Sequence, residues 1–347
     1  MPTRQSENPP PTRTYWLFRF IAMGVIIAAI GVAWFVAWNW GAGQLQQRAD
    51  LFERQLLDHG LQLDCRDRQI TGFPFRIGVS CVTVTSENID DGSRAHAGAF
   101  RSAAQFYNPG KLVAELDGPA RIEPYGGVPL LAQWELMHAS ILANLETIRE
   151  FSLEAKDITV RDEWAPENAP AMAKAANAQI HARISETGPE NLDIAIRGTD
   201  VFPAGEALAS ISLTTIMTVD GIVPHLQPGF DLIRHIENHG LAGRLEEFSL
   251  QPTEGGRLRI RGPFSLDTRG VLTARIEIGY SDLEAIGAFI APLVPGTSDA
   301  IGTISVLAST MAQISEDDPE LRTITLTIED GNILIGFVPV GKLEPLI

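Results

Sequence analysis

The sequence predicts an α+β or mainly β protein, in which a single N-terminal transmembrane helix precedes a large antiparallel, strand-rich exterior domain with a few short helices. Three observations predict this. Residues 20–38 form an apolar run without a charged residue. The remainder contains many short segments in which apolar and polar residues alternate, as in half-buried strands. Glycine-containing turn sequences separate these segments, and the strand–helix alternation typical of a parallel sheet is missing.

The apolar run is predicted to cross a membrane. The 19 helical residues from Phe20 to Trp38 would extend for roughly 28 Å, close to the ~30 Å hydrocarbon core of a bilayer. Aromatic residues flank the run on both sides, as they do at membrane interfaces. We assign residues 15–40 to a transmembrane signal anchor, because no small-x-small cleavage signal follows the run. A cleaved signal peptide is the main alternative, and a buried core helix is a second one.

The charges around the run predict its orientation. Three arginines but only one acidic residue, Glu7, lie in the first 19 positions. The positive-inside rule then puts residues 1–14, which are polar and Pro-rich, in the cytoplasm as a disordered tail. The chain is therefore expected to cross the membrane once, with residues 41–347, including the domain of residues 61–347, outside.

The exterior part is acidic. The chain carries a formal net charge of −16, and the first 40 residues contribute +2, which leaves −18 for the remainder. A domain of this charge lacks the clustered Lys and Arg that bind nucleic acid or anionic lipid surfaces. Nucleic acid is therefore excluded. The membrane is an expected partner, through residues 15–40.

Residues 41–60 are predicted to form a juxtamembrane amphipathic helix. Leu45, Ala49, Phe52 and Leu56 recur at spacings of four, three and four, which places them on one helix face. We expect this face to pack on the first strands of the exterior domain.

Strands are predicted wherever apolar and polar residues alternate. The segments are 61–70, 75–84, 100–107, 111–116, 132–139, 151–161, 178–184, 192–197, 211–219, 257–266, 272–280, 322–328 and 332–338. Helices are predicted at 228–240, at 281–292 and at 299–312. The second of these begins with a capping box that Ser281 and Glu284 would form.

The segment CRDRQITGFPFRIGVSC, residues 65–81, contains both cysteines of the chain. In an oxidising exterior, two cysteines predict one structural disulfide, Cys65–Cys81. Gly-Phe-Pro at 72–74 predicts the turn of a hairpin centred on residue 73, whose strands would bring the cysteines face to face. Free thiols and a functional pair are the alternatives. A redox pair is usually spaced Cys-x-x-Cys, and two cysteines do not complete a zinc site.

No residue is assigned to catalysis, to a cofactor or to a metal. His235 and His239 of the segment HIENH share a helix face, but Ile236 stands where a zincin has Glu, and no third ligand is evident. The phosphate-binding loop, the dinucleotide fingerprint and the nucleophile elbow are not found. Three acidic pairs are interpreted as solvated surface groups: Asp90–Asp91, Glu246–Glu247 and Asp317–Asp318.

Several segments together resemble the "domain of unknown function 2125" family, which occurs mostly in alphaproteobacteria. These are the cysteine segment with GFPFR, YNP at 107–109, GPFSLDTRGVLTARIEI at 262–278 and the ending DGNILIGFVPVGKLEPL. The resemblance implies a cell-envelope protein of unassigned activity and no functional residue. Together with the orientation it implies a single-pass protein of the bacterial inner membrane with the domain of residues 61–347 in the periplasm. The expected partners are then the inner membrane, through residues 15–40, and a lipid or an envelope protein. The strand, Asp-x-x-Gly turn and strand pattern of residues 262–278 is also faintly similar to AsmA-like envelope proteins, which are associated with lipid handling.

Three functions are compatible with these features. The first is a membrane-anchored periplasmic protein that binds a lipid or another apolar ligand in a groove of the sheet. The second is an envelope scaffold or interaction protein with a closed core. The third is a hydrolase or metalloenzyme. Alternation along strands does not distinguish an open groove from a closed core.

Overall fold

The computed structural model describes residues 13–144, 147–166, 168–203, 209–226, 230–292, 312–315 and 317–347. Most of the predicted tail 1–14 and of the predicted helix 299–312 lies outside the described residues.

The helices are α1 (Arg13–Asp58), α2 (Leu232–His239) and α3 (Leu283–Ile290), with a 3-10 turn at Val223–His225. The strands are β1 (Leu61–Arg66), β2 (Gln69–Thr71), β3 (Arg76–Cys81), β4 (Thr83–Asn88), β5 (Arg94–Ala97), β6 (Phe100–Gln105), β7 (Asn108–Leu116), β8 (Ala120–Glu123), β9 (Leu130–Gln133), β10 (Leu136–Ala143), β11 (Ile148–Asp162), β12 (Ala173–Ile184), β13 (Leu192–Val201), β14 (Ile211–Val219), β15 (Leu241–Pro252), β16 (Arg257–Leu266), β17 (Leu272–Ser281), β18 (Gln313–Ile314), β19 (Arg322–Glu329), β20 (Asn332–Ile335) and β21 (Val338–Lys342). The predicted fold class, one apolar helix followed by a large antiparallel sheet with few short helices, is confirmed.

Helix α1 is longer than a membrane span requires. Its 46 residues extend for about 70 Å, more than twice the ~30 Å hydrocarbon core. In the described part of the chain it alone is long and apolar enough to cross a membrane. The predicted anchor and the predicted juxtamembrane helix are therefore two parts of one continuous helix. It ends before Gly60, which has a φ of 80°.

Strand β11 is the place where the sheet divides into two arms. Strand β10 pairs with its first part and β9 with its last part. Between them the chain bends at Trp134 and Glu135, opposite Asp157, whose φ is 51°. The first arm consists of β10, β7, β6, β3 and β2, and the second arm of β9, β8, β5, β4 and β1. The single strand predicted at 132–139 is thus wrong, because this bend separates it into β9 and β10.

The disulfide Cys65–Cys81 is present and joins the two arms, with the two Cα atoms 5.4 Å apart. The long hairpin predicted around it is wrong. Cys65 in β1 lies opposite Val84 of β4, and only the short β2 pairs with β3. The cause is local, since Asp67 has a φ of 52° and ends β1 before the chain reaches β2. The cysteines therefore connect strands that are not hydrogen-bonded neighbours.

From β11 onward the strands follow one another as an antiparallel meander to β17, which pairs with β19, and then through β20 to β21. Directly paired residues point to the same face of a sheet, so the register defines the composition of each face. One row across eight strands is apolar except for a threonine: Leu153, Ile180, Ile196, Thr215, Phe248, Ile260, Ile278 and Ile324. Towards the first arm, the row continues through Ala139 and Ala114 to Ser102.

The closed core of the molecule lies at the C-terminal end of this row. Its buried members are Ala274, Tyr280, Ile286, Ile324, Leu326, Ile328 and Ile335. Helix α3 contributes Ile286, which is 2% exposed, and thereby covers the sheet at this end. The burial of Tyr280 raises the pKa of its phenol.

Three further predictions need correction. The capping box of Ser281 is wrong, because α3 begins one residue later and Asp282 accepts the hydrogen bond of the Ala285 N–H at 3.0 Å. The predicted strand 332–338 consists of two strands, β20 and β21. The predicted helix 228–240 is shorter, and Asp231 caps α2 at its N-terminus.

Candidate functional site

An apolar cavity of about 650 Å³ lies between α1 and the two arms of the sheet. Its lining comes from α1, from β1 and β4 of the second arm, and from β3, β6, β7 and β10 of the first arm. The lining side chains include Leu45, Ala49, Phe52, Leu63, Cys65, Ile77, Val79, Cys81, Val84, Phe100, Ala104, Leu112, Leu116, Ile141 and Ala143. The volume falls within the range of small-molecule binding pockets.

The helix wall of the cavity is the apolar face that the sequence predicts for residues 41–60. Leu45, Ala49 and Phe52 all line the cavity, since residues at these spacings share one side of a helix. The helix packs against β1 and β2. The prediction that this face packs on the first strands is therefore correct, but the packing leaves a void.

The sheet wall follows from the alternation in β3. Ile77, Val79 and Cys81 all line the cavity, as their shared face requires. Gly78 lies where β3 approaches β6 most closely, because a Cβ atom at this position would be 1.8 Å from the backbone oxygen of Ser102. Ser102 also bonds to β3: its Oγ accepts from the Val79 N–H at 2.9 Å and donates to the Val79 carbonyl at 3.1 Å.

The few polar groups of the cavity are all engaged by other protein groups. Arg68 forms ion pairs with Glu53, at 2.7 Å, and with Asp50, both on α1. Among the described residues, no buried side-chain nitrogen or oxygen lacks a hydrogen-bond partner. The cavity therefore offers an apolar surface without a polar group that is free to orient a ligand or to polarise a bond.

The sequence identified this site only in part. The disulfide and the helix face were recognised, and both border the cavity. The sequence did not identify the part of the lining that comes from β6, β7 and β10, such as Phe100, Leu112 and Ile141. Their alternation was visible, but it does not show which face of each strand points inward.

The histidines of HIENH have a third neighbour that the sequence did not suggest. His225, from the 3-10 turn, lies with its ring centroid 4.7 Å from that of His235 and 5.0 Å from that of His239. The rings of His235 and His239 are 4.8 Å apart. Burial and the nearby His225 and His239 lower the pKa of His235. Over the part of the chain that the structure describes, no three His, Cys, Asp or Glu side chains are arranged to hold a metal ion.

Two acidic pairs interact with neighbouring polar groups. Asp317 forms an ion pair with Arg261 at 2.5 Å, and Asp318 forms one with Arg257 at 2.7 Å. The side chain of Asp91 accepts a hydrogen bond from the Ser93 N–H at 2.8 Å, which lowers the pKa of this carboxyl group. None of these contacts places the two carboxyl groups of a pair in the contrasting environments that a general acid and a general base require.

The fold and the cavity define a class of protein: a β-rich domain attached to one long apolar helix, with an apolar cavity where the two meet. The family described as "uncharacterized protein conserved in bacteria (DUF2125)" matches residues 38–344, and the chain belongs to this family. A comparison with curated proteins gives no match. The fainter similarity to AsmA-like proteins stays a prediction.

Proposed function

We propose that this protein is a membrane-anchored lipid-binding protein, which holds an acyl chain in the cavity between α1 and the two arms. The observation that carries the proposal is the cavity itself, with its volume of about 650 Å³ and its apolar lining. The cavity is half open to solvent, so its apolar lining is in contact with water when no ligand is bound. A concave apolar surface of this size is a suitable site for a hydrocarbon chain.

The helix wall supports a lipid as the ligand. Residues 45–52 of α1 line the cavity, and the same helix contains the apolar run that we propose to cross the membrane. Leu45 lies seven residues beyond Trp38, which corresponds to about 10 Å along the helix. A lipid chain would therefore travel only a short distance between the bilayer and the cavity. Each buried CH₂ group contributes about 0.8 kcal/mol, so a long chain suits the site better than a short one.

The localisation is part of the proposal. We propose that α1 crosses the bacterial inner membrane once, with the N-terminus in the cytoplasm and the sheet in the periplasm. The disulfide supports this, because disulfides form and persist in oxidising compartments. A C-terminal alkaline phosphatase fusion is expected to be active, and a C-terminal fusion to a cytosolic fluorescent reporter is expected to be dark. The reverse pattern would refute the orientation.

The lipid itself is tested with two tryptophan variants on α1. Ala49 lines the cavity, so Ala49→Trp should fill much of it, whereas Gln47 is exposed on the same helix and Gln47→Trp leaves the cavity open. The full chain is purified in mild detergent, and the lipid bound per protein is measured by native mass spectrometry and by solvent extraction.

We expect about one firmly bound lipid in the wild type and in Gln47→Trp, and a loss of most of it in Ala49→Trp. The matched control accounts for lipid that merely surrounds the membrane helix, since both variants retain that helix. Equal lipid content in the two variants, with both still folded, would refute lipid binding in the cavity.

A further inference from the structure

Two turns of the first arm hold aromatic side chains beside α1, and we call them the aromatic turns. The first is the GFPF sequence at residues 72–75, and the second is Phe106-Tyr107 between β6 and β7. They form one unit, because the Phe106 N–H donates a hydrogen bond to the Phe75 carbonyl at 2.9 Å.

The first aromatic turn is hydrogen-bonded to the end of the apolar run of α1. The indole N–H of Trp34 donates to the Pro74 carbonyl at 2.8 Å, and the indole N–H of Trp38 donates to the Arg76 carbonyl at 2.8 Å. Both tryptophans lie within the last five residues of the predicted span, residues 20–38. The turn therefore lies level with the end of that span.

Ring contacts strengthen this attachment. The ring of Phe73 packs edge to face on Phe35, at 5.8 Å between centroids, and on Trp38, at 5.5 Å. The ring of Phe106 packs on Trp34 at 5.3 Å. Gly41 allows the second turn to approach, because a Cβ atom on Gly41 would be 2.7 Å from the Phe106 ring. Both turns are thus fixed against the helix over residues 34–41.

The remaining aromatic surface of these turns points away from the protein. Phe73 is 51% exposed, Phe75 is 65% exposed and Tyr107 is 67% exposed. Three large exposed rings at one position constitute an apolar patch of the kind that marks an interaction surface. Rings that combine an apolar body with a polar edge are preferred at the lipid–water boundary.

We propose that the aromatic turns insert into the lipid–water interface of the membrane that α1 crosses. The occupant of the patch is the bilayer, because the patch lies beside the helix at the level where its apolar run ends. The inference rests on the anchor part of the proposed function. Insertion of the aromatic turns adds a second attachment of the domain to the membrane. This attachment prevents the sheet from tilting on α1 and keeps the cavity at a fixed height above the bilayer.

Photocrosslinking from defined positions tests this inference on the full chain in phosphatidylethanolamine–phosphatidylglycerol vesicles. The photoreactive residue p-benzoylphenylalanine replaces Phe75 or Tyr107 in the aromatic turns. Val25, inside the apolar run, serves as the positive control for membrane insertion. Two exposed aromatic residues serve as negative controls, Tyr125 at 78% exposure and Phe337 at 88% exposure.

Tyr125 is a suitable control because it lies near the opposite end of α1. It follows β8, in which Glu123 pairs with Arg94, and Arg94 pairs with Glu87. Glu87 in turn lies opposite Gln62, four residues after the end of α1. That end is 20 residues beyond Trp38, or about 30 Å along the helix.

We expect at least roughly fivefold more lipid adduct at positions 75 and 107 than at 125 and 337, with strong adducts at 25. Adducts at 25 without an excess at 75 and 107 would overturn the insertion of the turns, while the lipid content of the cavity variants would be unaffected. An absence of adducts at 25 would overturn the anchor and the insertion together. Crosslinks from 75 and 107 to a protein in native membranes, in place of lipid, would also overturn the inference.

Discussion

Removal of the Cys65–Cys81 disulfide should destabilise the strand-rich domain by an amount that follows from the position of the two cysteines in the chain. The two cysteines are 16 residues apart, and closing a loop of this length stabilises a protein by roughly 3 kcal/mol in the chain-entropy model. The disulfide joins the two arms near the point where β3 continues into β4 through Val82, whose N–H donates to the Arg66 carbonyl at 2.9 Å. Its loss removes the covalent bond between β1 and β3 and leaves this backbone connection in place.

The expected shift in melting temperature can be worked out from the size of the domain. Unfolding entropy of about 2.1 cal/mol/K per residue gives roughly 0.6 kcal/mol/K for a domain of about 290 residues. A loss of about 3 kcal/mol then lowers the melting temperature by about 5 °C. Circular dichroism of the full chain in detergent measures this shift for the double variant Cys65→Ala/Cys81→Ala.

Chemical reduction provides the control, because the reduced wild type retains both sulfur atoms and loses only the covalent bond. The reduced wild type should match the double variant to within about 2 °C, and reduction should leave the double variant unchanged. A shift of less than about 1 °C in both would show that the arms are held together without the disulfide. A further fall in the double variant upon reduction would show that the shift does not arise from this bond.

Two more predictions concern the rest of the domain. The pKa of His235 is lowered in the folded state, so below the ordinary histidine pKa of about 6.5 the folded state binds fewer protons than the unfolded chain. The contribution to stability is therefore complete above this pH and is lost as the pH falls through the folded pKa. The variant His235→Phe should reduce this decline in thermal unfolding measured between about pH 5 and 8. Equal pH dependence in the two proteins would contradict the assignment. In the closed core, Ile286→Ala should cost about 2–5 kcal/mol, since its side chain is 2% exposed, whereas Phe337→Ala, at 88% exposure, should change the free energy of unfolding by less than about 0.5 kcal/mol. Similar urea midpoints for both variants would show that α3 does not close the core.

Local patterns made the strand content predictable. Segments such as β16 and β17 alternate clearly between apolar and polar residues, and the strands lie within a residue of the predicted bounds. The start of α3 depended on two adjacent capping residues, and Asp282 is the cap instead of Ser281 because its side chain accepts the hydrogen bond of the Ala285 N–H. Propensity alone does not decide between two adjacent capping residues.

Long-range pairing was not predictable from the same patterns. Cys65 and Cys81 are bonded, yet β1 pairs with β4 and not with β3. The division of the sheet depends on Asp157, a residue with positive φ in the middle of a long strand, which no local pattern signals. The same limit applies to the site, because His225 and the cavity strands come together only through tertiary structure.

The distribution of small side chains explains why the cavity forms at one end of the sheet and a closed core at the other. The closed core contains large aliphatic residues, among them Ile324, Leu326 and Ile335, with α3 packed over them. The cavity wall contains small residues at facing positions: Ala49, Gly78, Ala104, Gly110 and Ala143. Gly78 and Gly110 cannot become larger, because a Cβ atom on either would be within 2.6 Å of a backbone oxygen of the next strand. Ala49 has no such restriction, since a longer side chain there would extend into the void. A leucine at position 49 would fill part of this space, and the proposed lipid requires that the space stay open.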